Sequence, residues 1–339
     1  MSGDISSCGI TTVISTQSPG PVESIIYEAL NKYLFQQEDD LFETESGEIK
    51  RERIILKLQD IVKDWVRDIG AKKQIECNEG GGSQLKIFGS QRLGVHNASA
   101  DIDCLCVAPN FVSREEFFKS FVELLRQRSD TSLVFAVPDA YTPVVKFNLE
   151  EQPIDMLFVS LSIANIPAKF DALDISYLKG LDDQGVRSIN GPRVAEWIVK
   201  LVPNEEIFRT TLKAIKFWAK QRGLYSNVLG FLGGVNYAIM VAFMCQRYPN
   251  ANPAILICKF FNLFVQWQWP NPIMLSPLEE KGADPSIRGL PVWNPKLNIK
   301  DGLHIMPIIT PAYPAMNSSY NVGIPQFRLI QVIFSSFKN

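Results

Sequence analysis

The chain has almost no net charge: 34 Lys and Arg stand against 36 Asp and Glu over 339 residues. It lacks the long-range field that draws in a nucleic-acid backbone, so any contact with RNA has to come from a local basic patch. Its six cysteines include no C-x-x-C pair, and no apolar signal segment opens the sequence. Together these point to free thiols in a reducing, intracellular compartment. Long hydrophobic runs are missing too. The longest, Phe231 to Cys245, carries Asn236 in its middle and falls short of the roughly 20 residues that span a bilayer. It reads as a buried helix, and no membrane contact is expected. There is no internal repeat and no basic nuclear-import cluster. With 46% hydrophobic and 21% charged residues, the chain has the composition of an ordinary globular protein, and its length allows two domains, each with its own core.

Residues 1–20 are rich in Ser, Thr, Gly and Pro without periodicity, as in a flexible arm. Val22, Ile25, Ile26 and Leu30 then recur at helical spacing. An acidic loop from Glu38 to Glu48 leads into a longer helix through Ile54, Leu58, Ile61, Val62 and Trp65. A loop at Gly80, Gly81 and Gly82 precedes a short strand, Leu85 to Phe88. Between Phe88 and Val159 the pattern is that of strands with an interposed helix: Asp101 to Val107, Val144 to Phe147 and Ile154 to Val159 as strands, Phe117 to Leu125 as helix. Helical spacing returns after Asn165, through Trp197, Leu212 to Trp218 and Gly230 to Met244. The last third, from Pro249, is Pro-rich and reads as irregular.

The chemistry concentrates at Phe88-Gly89-Ser90 and, ten residues on, Asp101-Ile102-Asp103. On a strand, side chains alternate between faces, so Asp101 and Asp103 project together while Ile102 enters the core. A third acid, Asp155, sits in the apolar strand pattern of Gln152 to Phe158. Three carboxylates brought together repel by about 4 kcal/mol per pair at 4 Å and an effective dielectric of 20. Divalent cations remove that conflict, and hard oxygen ligands suit magnesium or manganese. Gly89 allows close backbone approach to a phosphate, and Ser90 can cradle its oxygens. By itself Gly-Ser is an ordinary turn, and two acids by themselves are a solvated strand end. The combination, in this order and spacing, is far more specific.

Gly89-Ser90, Asp101-Ile102-Asp103 and Asp155 together resemble the signature of the nucleotidyltransferase superfamily. Longer strings are similar to eukaryotic nuclear poly(A) polymerases: FGSQRLGVHNASADIDCLCVAP, PVVKFNLEEQPIDMLFV, RSINGPRV, LKAIKFWAKQRGLYSNVLGFLGGVNYA, WQWPNPIML and MPIITPAYPAMNSSYNV, spread from about Thr11 to Val322. The resemblance implies an α+β fold, in which a polymerase-beta-like nucleotidyltransferase domain with a small mixed sheet (48–163) is inserted into a mainly helical central domain (21–47 and 164–325), ATP lying in the cleft between them. It implies template-independent transfer of AMP from ATP to RNA 3′-hydroxyl ends, with two Mg2+ or Mn2+ ions held by Asp101, Asp103 and Asp155, and Asp155 helping to activate the primer hydroxyl. Phe88, Gly89, Ser90 and Lys146 would contact ATP from the first domain; Asn190, Lys216, Lys220, Tyr225, Asn227, Gly234, Val235 and Thr310 from the second. It further implies a nuclear monomer that meets 3′-end processing factors. The family carries a third, RNA-binding domain. The segment 326–339 reads as a divergent tail in its place, so weaker primer binding is expected.

One reading of the residues themselves supports the helical part. Arg209, Lys213, Lys216 and Lys220 form a basic stripe beside the apolar stripe of Phe208, Leu212, Ile215 and Ala219. A solvated basic face is the commoner explanation of such a run, but its direct continuation into Arg222 to Asn227 favours triphosphate. Cys104 and Cys106 share the face of Ile102 and read as core, His96 as a turn residue, and Trp267 and Trp269 as packing anchors. Two rivals stand beside polyadenylation: a terminal nucleotidyltransferase preferring another nucleoside triphosphate, and a non-catalytic RNA-processing scaffold.

Overall fold

A computed structural model describes residues 12–36, 41–75, 82–278, 287 and 289–337. The first eleven residues of the expected arm, residues 38–40 of the acidic loop, and Gly80 and Gly81 lie outside them. The described residues divide into two units, one of 42–196 with Ile287, the other of 12–36, 41, 197–278 and 289–337.

The first unit is a mixed sheet with helices on one face, consistent with the expected α+β class. Helix α2 (Glu45–Lys72) is started by Thr44, whose side chain accepts a hydrogen bond from Gly47 N at 3.0 Å; helix α1 (Pro21–Gln36) belongs to the other unit. The sheet is built from β1 (Gln84–Ile87), β2 (Ile102–Ala108), β3 (Thr131–Val137), β4 (Val144–Leu149) and β5 (Gln152–Ser160), in the order β1-β2-β5-β4-β3. Neighbours are antiparallel except β2 and β5, which run parallel. A parallel pair needs a crossover. Helix α4 supplies part of it, made of Arg114–Glu116, a π-turn Phe117–Phe121 and Val122–Gln127.

The alternation of β2 decides what each face does. Ile102, Cys104, Cys106 and Ala108 are wholly buried and join Ile154, Met156 and Phe158 of β5 under α2 and α4. Trp65, Phe117, Phe121 and Phe158 form the aromatic centre of this core, with Phe117 stacked on Phe158 at 4.8 Å between ring centroids. Each such ring contributes roughly 2–3 kcal/mol by leaving water. The two cysteines are core residues, and burial pushes both thiols up. Asp103, between Ile102 and Cys104, is thereby turned to the opposite face.

Strand β3 is not legible in the sequence reading. It is an edge strand with a register shift between Ser132 and Phe135; Leu133, Phe135 and Val137 are exposed while Val134 and Ala136 pack against the core, so apolar residues stand on both faces and no alternation marks the buried one. Its start is tied to α2 by a charge network: Arg128 Nε and Nη2 donate to Asp130 at 2.9 and 2.8 Å, and Lys57 Nζ lies 2.6 Å from both Asp130 and Glu150. The Arg128 hydrogen bonds, with help from Lys57, bring the Asp130 carboxyl down to about 2. A carboxyl depressed in the folded state stabilises above its unfolded value near 4 and stops doing so as pH falls towards 2. Asp130→Asn is therefore expected to cost about 1 kcal/mol at pH 7, allowing for solvent screening. Urea unfolding should show that gap between the proteins closing as pH falls from about 4 to about 2.

The second unit is helical: α1 (Pro21–Gln36), the end of α5 (Asp183–Leu201), α6 (Glu205–Gln221), α7 (Gly234–Arg247), α8 (Pro253–Gln266), α9 (Ile299–Gly302) and α10 (Ile324–Ser335). The five-residue α3 (Gly89–Leu93) belongs to the first unit. Helix α7 is buried without a break from Asn236 to Gln246, as expected of the longest apolar run. On α6, Phe208, Leu212, Ile215 and Ala219 are buried as the stripe predicts. The region after Pro249 is more regular than its prolines suggest. Pro253 and Pro325 each stand in the first turn of a helix, where the missing N–H breaks no bond, and Asn252 caps α8 by accepting from Ile255 N at 3.0 Å. Trp267 packs edge-on against Phe243, the anchoring use expected of it. No helix among the described residues is long and apolar enough to cross a membrane.

Candidate active site

The parallel register of β2 and β5 sets Asp103 directly opposite Asp155, held by the flanking pairs Ile102 with Ile154 and Cys104 with Met156. Asp101 stands just ahead of β2. One carboxylate oxygen from each of the three lies within 4.8 Å of the others. A slip of one residue in either strand would turn an acid into the core, and the buried isoleucines at 102 and 154 prevent it.

Burial, and after it the negative charge of Asp155, push the Asp101 carboxyl up, against the pull of Lys146 and Arg51. Lys146 faces Asp155 across the β4–β5 pairing, and its ammonium contacts the Asp155 carboxylate. The cluster thus has three hard oxygen donors, like-charge repulsion only partly offset at one of them, and a cation already drawn to another. That donor set fits magnesium or manganese.

Gly89 closes one side. It has φ +61, and a Cβ placed on it would fall 1.9 Å from Asp103 Oδ2, so glycine is required here both by conformation and by space. Phe88 N donates to Asp103 O at 3.0 Å, which fixes the turn to β2. Phe88 leaves β1 and stands at the N-cap of α3, with Ser90 in its first turn. Its ring lies against α5, where a Cβ on Gly191 would come 2.9 Å from Phe88 Cε2; Asn190 is the adjacent residue. Arg92 of α3 grips Glu196 of α5 with two hydrogen bonds of 2.6 and 2.7 Å. Phe88, Gly89, Asp101, Asp103, Lys146 and Asp155 are thus joined by direct contacts or strand pairing; Ser90 follows Gly89 in the chain, and Asn190 precedes the Gly191 against which Phe88 lies.

The other residues singled out in the sequence lie in the helical unit. The Tyr225 ring stacks on Tyr237 at 5.8 Å and carries the Lys220 ammonium 5.7 Å above it. A Cβ on Gly234 would fall 2.7 Å from the Tyr225 hydroxyl. Gly234 and Val235 open α7, with Asn227 close by Gly233. Lys216 is on α6. Thr310 holds a turn with Met316 through bonds of 2.9 and 3.0 Å.

Two site residues escape the sequence reading. Arg51, only 1% exposed, donates to the carbonyls of Asn97, Ala98 and Ala100, and Gln152 donates to the same Ala100 carbonyl. A signal for Arg51 was present: it stands one turn ahead of Ile54 on the apolar stripe of α2. His96 is buried rather than an open turn residue, with Nε2 2.9 Å from Glu48 Oε1.

Residues 9–202 match the model of the poly(A) polymerase nucleotidyltransferase domain, and residues 207–338 that of the poly(A) polymerase central domain. Nuclear poly(A) polymerase 2 of Arabidopsis thaliana is 44% identical over 329 residues, covering 96% of this chain and 40% of its own length. Nuclear poly(A) polymerase 4 of the same organism is 44% identical over 336 residues, covering 98% and 44%. The chain therefore spans less than half the length of these curated relatives. Among solved structures, the Cid1 poly(U) polymerase superposes with a TM-score of 0.59 at 13% identity over 92% of this chain and 93% of its own. The mtPAP complex with ATPgammaS gives 0.58 at 15% over 96% and 72%. At such identities these two share the fold alone.

Proposed function

The chain belongs to the poly(A) polymerase family, and from that premise we propose that it transfers AMP from ATP to RNA 3′-hydroxyl ends without a template. The observation that carries the proposal is the meeting of Asp101, Asp103 and Asp155 within 4.8 Å on the face of the sheet turned away from its core.

Asp101, Asp103 and Asp155 would hold two divalent ions. When bound, such ions lower the pKa of an attacking hydroxyl and neutralise the leaving pyrophosphate. The residues of the chain do the rest. Asp155, on β5, is placed to orient the primer hydroxyl. Gly89 leaves open the space beside Asp103 that a side chain would fill, so a phosphate can come close to the backbone there. Phe88, wedged against Gly191, fixes the turn that carries Gly89 and Ser90. Lys146 offers a mobile positive charge, half exposed and able to leave Asp155 for a phosphate or a base. Asn190, Lys216, Lys220, Tyr225, Asn227, Gly234, Val235 and Thr310 are proposed as ATP contacts on the strength of the family resemblance. So are a nuclear location, monomeric state and association with 3′-end processing factors.

The test is extension of an oligo(A) primer with each of the four nucleoside triphosphates, with Mg2+ or Mn2+ and with chelator. ATP should be used in clear preference and chelator should stop the reaction. Equal or better use of UTP would reassign the chain to another terminal transferase. No extension with any triphosphate in either metal would leave only the scaffold reading.

A further inference from the structure

Of the three clustered acids, Asp101 is the one that no strand holds. Asp103 and Asp155 sit within the ladder of β2 and β5, whereas β2 begins at Ile102. The position of Asp101 is set instead by the peptide in front of it. The Ala100 carbonyl, one bond before Asp101, accepts from Arg51 Nη2 at 2.7 Å and from Gln152 Nε2 at 2.9 Å. Arg51 Nη2 also reaches the carbonyls of Asn97 at 3.0 Å and Ala98 at 3.2 Å, so one guanidinium gathers the whole approach to Asp101. Its own direction is fixed from behind: Nε donates to Glu43 Oε2 at 2.6 Å, and both side chains are almost fully buried. Gln152 stands at the start of β5, three residues before Asp155, and its amide also donates to Pro153 O at 3.2 Å. The same side chain therefore ties the backbone of Asp101 to the strand that carries Asp155.

A buried arginine is a costly way to hold a loop, since taking a guanidinium out of water has to be offset by well-formed bonds to it. An apolar residue would continue the stripe of Ile54, Leu58 and Ile61. What the arginine adds is an Nη2 group that three carbonyls share while Nε is held by Glu43, which fixes a direction as well as a place.

We infer that Arg51 and Gln152 are positioning residues that aim the Asp101 carboxylate at the divalent-ion site. The inference rests on the reading of the three aspartates as that site. Both hold the Ala100 peptide in front of Asp101, and Arg51 adds its positive charge near the carboxylate.

The experiment uses the full chain and its Arg51→Lys, Arg51→Met and Gln152→Ala variants, titrated with Mn2+ while free Mn2+ is followed by electron paramagnetic resonance, alongside melting temperatures. Groups that orient metal ligands change affinity by roughly ten- to a hundredfold when lost. Arg51→Met should fall in that range, with Arg51→Lys and Gln152→Ala at its lower edge, about tenfold or somewhat less. Primer extension by the folded variants should return when Mn2+ is raised in proportion, with the KM for ATP within about twofold of the wild type. If Arg51→Met does not fold, Gln152→Ala still decides, because it removes one bond and no charge. Wild-type Mn2+ affinity in Gln152→Ala and Arg51→Lys, with a loss confined to melting temperature, would overturn the inference. So would a loss of extension that no Mn2+ concentration restores. A wild-type chain that binds no Mn2+ would overturn it together with the metal reading, and is distinguished from the other failures by the unsubstituted protein alone.

Discussion

Asp103→Asn is expected to lower AMP incorporation by about a thousandfold or more while leaving the metal-free protein at least as stable as the wild type. The two effects have one cause. Asp103 faces Asp155 across the parallel pair, and the oxygens of the cluster lie within 4.8 Å of each other. Without a bound ion, such charges work against the fold, and the Lys146 ammonium, in contact with Asp155 and pulling on Asp101, offsets them only in part. Asparagine keeps the shape and removes one negative charge, so each kcal/mol of repulsion relieved should raise the metal-free melting temperature by roughly 2–4 °C. The same change removes a ligand. Since divalent ions are worth several kcal/mol to phosphoryl transfer, and each 1.36 kcal/mol is tenfold in rate, about 4 kcal/mol lost is about a thousandfold. Melting with and without Mn2+ checks the first half and primer extension the second. A variant that melts lower than the wild type in chelator, or that still gains stability from Mn2+ as the wild type does, would show that the carboxylates do not act as a metal cluster.

Gly89→Ala should be nearly as damaging to activity, and it should also weaken the fold. Residue 89 has φ +61, where a non-glycine residue is strained by about 1 kcal/mol or more. The added methyl would in addition overlap Asp103 Oδ2, at a built distance of 1.9 Å. Either the carboxylate swings away or the Phe88–Gly89 turn shifts, and Phe88 has little freedom between its hydrogen bond to Asp103 O and the backbone of α5 at Gly191. The carboxylate is the freer party. A displacement of about 1 Å at a reacting centre can cost about a hundredfold in rate, so a loss of that order is expected, with a destabilisation of about 1–2 kcal/mol by urea unfolding. Activity within tenfold of the wild type would mean that Asp103 does its work from another position.

The contrast between these residues and the two missed ones shows what a sequence can reveal. Asp101, Asp103 and Gly89 are legible because the chemistry depends on short spacings, and an i, i+2 pair on a strand is visible without knowing the fold. Asp155 is legible because one acid in an apolar strand is costly unless it has a task. Arg51 and Gln152 act on a peptide carbonyl about fifty residues away in the chain, and nothing local in their own segments marks the partner. Strand β3 is hidden for a related reason: Leu133, Phe135 and Val137 are exposed at the sheet edge while Val134 and Ala136 pack against the core, so apolar residues on both faces leave no alternation that tells inside from outside. The helices after Pro249 were obscured by reading proline as a break when, at the first turn, it is a start.

The parallel pairing of β2 with β5 has a consequence for biogenesis. Asp103 leaves the ribosome about fifty residues before Asp155, which at 5–20 residues per second is a delay of roughly 3–10 s. Throughout that interval the nascent chain cannot bring its three carboxylates together, because the partner strand has not been synthesised. Metal capture is thereby postponed until the sheet can close around it.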